Sequence, residues 1–194
     1  LYVLGALAII IGVLAVWGSA SDAADSGDKL ALADAVVFFV TMLLVFCGAL
    51  VLGFISILVG LIMQVVTAKE FDNHTMAIAG LVGFVLGFIL SIIGQFASPV
   101  LGAVGSIIAF VSLGLPLLKI GGKMPAIIGM AVGAICSIIS LVLSLGADIT
   151  SPEEAMNFIY AQLALGAGNL IGYGLFAVAC IMALKWTAEH YKKG

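Results

Sequence analysis

The sequence predicts an all-α, polytopic transmembrane helix bundle of six helices, and three observations support this fold class. Hydrophobic residues make up 64% of the 194 residues and charged residues only 9%, whereas a soluble domain has about 25% charged residues. The mean hydropathy is +1.35. The apolar residues form long stretches whose central turns hold no Asp, Glu, Lys, Arg or His. We therefore expect one transmembrane domain over residues 1–194, with the lipid bilayer as its main partner.

The first two predicted helices differ in length. A crossing needs about 20 apolar residues, and residues 1–18 supply the first, without the basic start and cleavage pattern of a signal peptide. A short acidic loop, 19–30, follows. The next apolar run, 31–67, would reach about 55 Å as one helix, which is far more than one crossing and barely enough for two. We favour one unusually long, tilted helix here; two short crossings, which would make seven in all, are the alternative.

The other four spans are separated by short polar turns. Pro116 lies near the end of the fourth helix, where its missing backbone donor costs least. Ser151 is a predicted N-cap, Pro152 takes the first helical position, and two glutamates follow in the first turn, which together predict the start of the sixth helix. The four spans are predicted at residues 76–95, 101–118, 126–145 and 152 to about 185.

The lysines predict the orientation in the membrane. With six crossings, Lys29 lies on one side together with the acidic loop 19–30, and the other six lysines lie opposite: Lys69, Lys119, Lys123, Lys185, Lys192 and Lys193. Because an excess of lysine marks the cytoplasmic face, we expect a multi-pass protein of the cell membrane with both termini inside. The loop 19–30 is then non-cytoplasmic, and 186–194 is a short basic cytoplasmic tail. Seven crossings would put the N-terminus outside and all seven lysines, Lys29 included, inside; the C-terminus is cytoplasmic in both cases.

Small residues recur four positions apart in three of the predicted helices. In a membrane, such residues let helix backbones approach closely, because dispersion replaces the missing hydrophobic drive. We expect these stripes to pack helices together, either within the bundle or at a face shared with copies of the chain or with other membrane subunits. The helix-packing residues are Gly83, Gly87 and Ser91 in the third helix, Gly129, Gly133 and Ser137 in the fifth, and Gly168 and Gly172 in the sixth.

The sixth helix is the most polar span. Gln162, Gly166, Asn169 and Tyr173 follow each other at spacings of four, three and four, which places them on one helix face. Asn169 lies near mid-membrane, where a buried amide needs a hydrogen-bond partner. It either bonds a backbone carbonyl or a hydroxyl across a tight contact, or it lines a small polar cavity or solute path together with Gln162 and Tyr173.

The distribution of charge excludes several classes of function. Proton pumps and ion-driven transporters keep an ionisable group at membrane depth, and a net charge of −3 without any arginine argues against nucleic acid as a partner. The residues show no catalytic motif, no metal-ligand spacing and no cofactor site. The three cysteines lie in apolar runs, as is typical of packing residues.

Two classes of function are left, and neither is an enzyme. We expect a scaffold or accessory subunit of a membrane complex or homo-oligomer, held together through the Gly/Ser stripes. The alternative is a membrane transport component with a polar path along the sixth helix. It would be a passive channel for small neutral solutes or the solute-binding subunit of a transporter.

Overall fold

The computed structural model describes residues 29–146 and 151–191, together with five isolated helical positions before them, Leu4, Leu7, Ala8, Ile11 and Gly12. The described residues are almost entirely helical, and no strand occurs among them. The all-α prediction is confirmed for this part of the chain. The helices are α1 (Lys29–Thr67), α2 (His74–Ala97), α3 (Pro99–Gly114), α4 (Lys123–Gly146) and α5 (Pro152–Tyr191), with 3₁₀ helices at Ala68–Phe71 and Leu115–Leu118.

Five helical segments of the described chain are long and apolar enough to cross a membrane. Their mean hydropathy lies between 1.8 and 2.7, and each has at least the 20 residues that a hydrocarbon core requires. Most of the predicted first span, most of the acidic loop and residues 192–194 lie outside the described residues, so the count of six helices stays a prediction. The five segments are Leu43–Phe71, His74–Gly94, Pro99–Leu118, Lys123–Gly146 and Tyr160–His190.

The long apolar run forms the single helix α1, without a break for two crossings. Its 39 residues correspond to about 58 Å at 1.5 Å per residue, nearly twice a hydrocarbon core of about 30 Å. The chain divides into two compact units, 1–60 and 61–194. The packing and the site described below lie within the second unit.

In the second unit, the helices pack in chain order: α2 against α3, α3 against α4, and α4 against α5. The 3₁₀ helix Leu115–Leu118 contacts all four of these helices. It contributes Pro116 and Leu117, both fully buried, to a core that also contains Leu113 and Phe176. The core is therefore centred on α3, which lies between α2 and α4.

The connections between these helices lie at two opposite ends. At one end, Lys119 donates a hydrogen bond to the carbonyl of Asp72 at 3.2 Å, and the rings of Phe71 and Trp186 meet edge to face at 5.9 Å. Gly121 lies here too, with a φ of +84° that favours glycine. We call this the lysine end, defined by residues 68–75, 119–123 and 185–191. The other end, the cavity end, holds the turn 97–99 and the start of α5.

Local chemistry sets the helix starts at the cavity end. Pro99 occupies the first turn of α3, directly after Ser98 in extended conformation. Ser151 and Glu154 form a reciprocal cap at the start of α5. The backbone N–H of Glu154 donates to Oγ of Ser151 at 3.2 Å, and the N–H of Ser151 donates to Oε2 of Glu154 at 3.0 Å. The predicted N-cap is confirmed, and α5 continues to Tyr191, beyond the predicted end near Lys185.

The exposed faces of these helices are the apolar ones. Along α2, the large aliphatic residues are about half exposed, while the glycines of the opposite face are buried against α3. A soluble helix shows the reverse arrangement, with its large apolar residues inside. Small residues inside and large ones outside suit a helix surrounded by lipid. The exposed residues are Val82, Leu86, Ile89 and Ile93, and the buried glycines are Gly80, Gly87 and Gly94.

Candidate solute-binding cavity

The predicted small-residue stripe of α2 lies against α3. A Cβ atom added at Gly87 would come within 2.5 Å of the backbone N of Ala109 and 2.7 Å of the carbonyl O of Gly105. A Cβ atom at Gly83 would collide with the hydroxyl of Ser112. At Gly87 the two backbones touch, and at Gly83 the hydroxyl of Ser112 occupies the space that a Cβ atom would need.

The stripes of α4 and α5 lie against each other and against α3. A Cβ atom at Gly129 would lie 3.1 Å from the carbonyl O of Gly172, and one at Gly133 would overlap the ring of Phe110. A Cβ atom at Gly168 would lie 2.6 Å from a cysteine sulfur of α4. Each of these stripe glycines thus lies against another helix of the same chain.

A cavity of about 620 Å³ lies at the cavity end, among α2, α3, α4 and α5. Seven polar side chains line it, and the described lining residues include no charged side chain and no histidine. Four different helices or turns contribute to this polar wall. The seven are Ser98, Ser106, Ser137, Ser140, Ser144, Gln162 and Asn169.

The lining extends from the helix ends toward mid-membrane. On α4 it runs from Ser144 to Ser137, which is about 10 Å along the helix axis. On α5 it runs from Phe158 to Asn169, about 16 Å. Because the hydrocarbon core is about 30 Å thick, the cavity reaches about halfway through it when α2–α5 span the bilayer.

Hydrogen bonds tie the cavity walls together and leave one acceptor unpaired. The hydroxyl of Ser140 donates to Oε1 of Gln162 at 2.9 Å and so joins α4 to α5. Ser91, which was predicted as a packing residue, shares a 3.1 Å hydrogen bond with Ser106 and joins α2 to α3. Oδ1 of Asn169 is buried and has no hydrogen-bond partner among the described residues. An acceptor that is buried unpaired is costly, and a turn of the Asn169 side chain toward the cavity would let a donor there satisfy it.

Tyr173 lies one helical turn deeper than Asn169 and is not among the cavity-lining residues. Its ring packs on Phe110 at 5.0 Å between centroids, and Phe110 packs on Phe176 at 6.2 Å. Phe110 itself lies one turn beyond Ser106, a lining residue of α3. These three rings, the aromatic layer, therefore lie between the cavity and the lysine end, and Phe110 and Phe176 are almost fully buried.

The structure thus brings Gln162 and Asn169 to one polar cavity and leaves Tyr173 outside it. Ser137 was predicted as a packing residue, and its buried hydroxyl also belongs to the cavity wall. Ser140 and Ser144 were not predicted as site residues. Their spacing of three and four after Ser137 places all three on one face of α4, a pattern that is readable in the sequence.

The chemistry available at the cavity is that of neutral hydrogen-bonding groups. Across the described part of the chain, His, Cys, Asp and Glu side chains form no group of three or more that could hold a metal ion. The sequence matches no protein-family model, no curated protein and no solved structure. The cavity is therefore the feature from which a function can be argued.

Proposed function

We propose that this protein is a solute-binding component of a membrane transport system that takes up a small neutral solute. The observation that carries the proposal is the polar cavity of about 620 Å³ inside helices suited to lipid. This volume lies within the range of small-molecule pockets, about 300–1,000 Å³. Polar groups at membrane depth are costly and are typical of solute pathways. A helix bundle that serves only as a scaffold does not need a polar cavity of this size.

The lining favours a neutral solute. Seven hydroxyl and amide side chains and no charged group surround the cavity in the described structure. A charged solute would lose its hydration there without gaining a counter-ion, which is strongly unfavourable. A neutral polar solute can exchange its hydrogen bonds with water for bonds with the wall.

The position of the cavity supports entry from the non-cytoplasmic side. The lysine end corresponds to the cytoplasmic face if the excess of lysine sets the orientation, and the cavity lies at the opposite end. The aromatic layer of Phe110, Tyr173 and Phe176 separates the cavity from the lysine end. This arrangement supports a binding site that opens to one side at a time, rather than a continuous pore.

Thiol labelling tests whether the cavity is filled with water. In a variant whose three cysteines are replaced by alanine, Ser140→Cys should react with a membrane-impermeant maleimide added from the non-cytoplasmic side, because thiols react as thiolates in water. The matched control is Ile139→Cys, at the same depth on α4. Ile139 is 43% exposed, but on a surface that faces lipid, and should not react. Equal reactivity at the two positions, or none at position 140, would contradict the proposal.

Uptake into proteoliposomes tests whether the cavity binds solutes. We expect Asn169→Leu to abolish the uptake or binding of a neutral solute, because it removes the deep polar group and fills its space. Asn157→Leu is the control, since Asn157 is exposed on the same helix and does not line the cavity. Solute binding that survives Asn169→Leu unchanged would refute the role of the cavity.

A scaffold or accessory subunit is the second candidate, and α1 supports it. The helix is about 58 Å long, and Val37 and Val40 in its first third are 66% and 48% exposed. Apolar surface that projects beyond a bilayer needs a protein to cover it. Native mass spectrometry in mild detergent tests this candidate. A strictly monomeric protein without a co-purifying subunit would contradict it, whatever the cavity binds.

A further inference from the structure

Most serine hydroxyls of the cavity wall donate their hydrogen bonds to other groups of the protein. The hydroxyls of Ser106, Ser137 and Ser144 each donate to the carbonyl four residues earlier on their own helix, at 2.8 to 3.0 Å. Ser140 donates to Gln162. A hydroxyl has one proton and two lone pairs. These four serines have therefore committed their protons. Ser106 already accepts from Ser91 with one lone pair, and the remaining lone pairs of the four serines make this part of the wall an acceptor of hydrogen bonds.

The two amides complete the pattern. Oε1 of Gln162 already accepts a proton from Ser140, so its NH₂ group is left to donate into the cavity. Oδ1 of Asn169 is a buried acceptor without a partner in the described structure. The wall thus combines many acceptors with amide NH₂ donors, and one acceptor, Oδ1 of Asn169, is left unpaired in the described structure.

We infer that the cavity recognises a neutral solute with a primary amide or urea head group, an inference that rests on the proposed function. Such a group carries at least two N–H donors beside one carbonyl oxygen. The N–H donors match the lone pairs of the serines and, once the Asn169 side chain turns into the cavity, its Oδ1. The carbonyl matches the NH₂ group of Gln162. An alkylammonium also supplies donors, but its charge would find no carboxylate among the described lining residues. A polyol brings two lone pairs with every proton and adds acceptors to a wall that is already rich in them.

The outer part of the cavity indicates what the head group is attached to. Phe96, Pro99, Leu141 and Phe158 line it near the helix ends beside Ser98 and Ser144, farther from mid-membrane than Asn169. An apolar body would lie against these residues while the amide points inward. Benzamide, a planar ring with a primary amide, is therefore a suitable probe.

The test is equilibrium binding of benzamide to the full chain in lipid nanodiscs, with empty nanodiscs as the control for partition into lipid. N,N-dimethylbenzamide keeps the ring and the carbonyl but has no N–H group. We expect it to bind at least about tenfold more weakly, because one or more buried acceptors are left unpaired. Benzoate should not bind measurably. These comparisons use the unaltered protein and do not depend on the folding of a variant.

Variants then locate the binding site. Ser140→Ala removes the hydrogen bond that holds Oε1 of Gln162, so the amide can turn its oxygen instead of its NH₂ group into the cavity. Asn169→Leu removes the acceptor Oδ1 of Asn169. Each should weaken benzamide binding about tenfold or more. Asn157→Leu should leave it unchanged. Thermal melting of each variant shows whether it is folded. The comparison of benzamide with N,N-dimethylbenzamide on the unaltered protein decides the inference if a variant does not fold.

The outcomes separate this inference from the proposed function. Equal or tighter binding of N,N-dimethylbenzamide overturns the amide inference. If glycerol binds in a manner that depends on Asn169 and benzamide does not bind, the head group is wrong but the solute-binding function stands. If the thiol at position 140 is unreactive and neither solute binds, both proposals fail.

Discussion

Replacing Gly87 by alanine should force α2 away from α3. The added Cβ atom would lie 2.5 Å from the backbone N of Ala109 and 2.7 Å from the carbonyl O of Gly105, whereas ordinary contact begins at 3.4 Å. The two backbones must therefore separate by 0.7 to 0.9 Å, because no flexible side chain is available to move instead. Gly105→Ala acts in the same way, since its Cβ atom would lie 2.7 Å from the carbonyl O of Gly87.

The expected loss of stability follows from this separation. Overpacking of a tight contact costs about 1–3 kcal/mol, and a gap of about 0.5–1 Å forfeits a quarter to a half of the dispersion energy of neighbouring atoms. Alanine regains about 1 kcal/mol of helix propensity over glycine. We expect each single variant to lose up to about 2 kcal/mol net. The double variant should lose less than the sum, because the first substitution already opens the space that the second needs.

Reversible unfolding in mixed micelles, with increasing dodecyl sulfate, measures these differences. The control is Gly166→Ala on α5, where a Cβ atom would meet nothing within 4 Å. This variant should be as stable as the parent or gain up to about 1 kcal/mol. The close backbone contact would be refuted if Gly87→Ala were as stable as Gly166→Ala. If the double variant lost as much stability as the two single variants together, the idea that both act by separating α2 from α3 would be refuted.

Two further predictions concern the lysine end and use the same unfolding assay. Asn73→Ala removes the 2.7 Å hydrogen bond from Nδ2 to the carbonyl of Pro116 and should cost about 1–2 kcal/mol. Asn73→Asp should cost more, because a carboxylate oxygen would then face that buried carbonyl; the reverse order would contradict the bond. Trp186→Ala removes the edge contact with the ring of Phe71 and should cost about 1–3 kcal/mol, less than a fully buried tryptophan. Trp186→Phe should recover part of this loss, and no recovery would argue against a role for the ring contact.

The cavity depends on rotations of the helices that local sequence does not encode. Ser106, Ser140 and Gln162 lie on three helices, and their meeting is decided by how closely the glycines let α2, α3, α4 and α5 approach. In lipid the exposed and packed faces are both apolar, so composition alone does not say which face meets a neighbour. For the same reason, the sequence allowed two interpretations of Asn169. The orientation of α5 puts this residue beside a cavity, with its Oδ1 unpaired among the described residues, and one turn further it puts Tyr173 against Phe110.

By itself, the sequence determined the all-α class, the apolar spans and the start of α5, and it favoured the single long helix α1. These features depend on contiguous residues, because span length follows from hydropathy and the cap at Ser151 uses a side chain three positions away. Only the tertiary structure decided which helices of the chain pack against the glycine stripes. It also decided that five serines line one cavity together with Gln162 and Asn169. Such convergence depends on contacts between residues far apart in the chain, such as Ser140 and Gln162, whose pairing is set by backbone packing rather than by any local pattern.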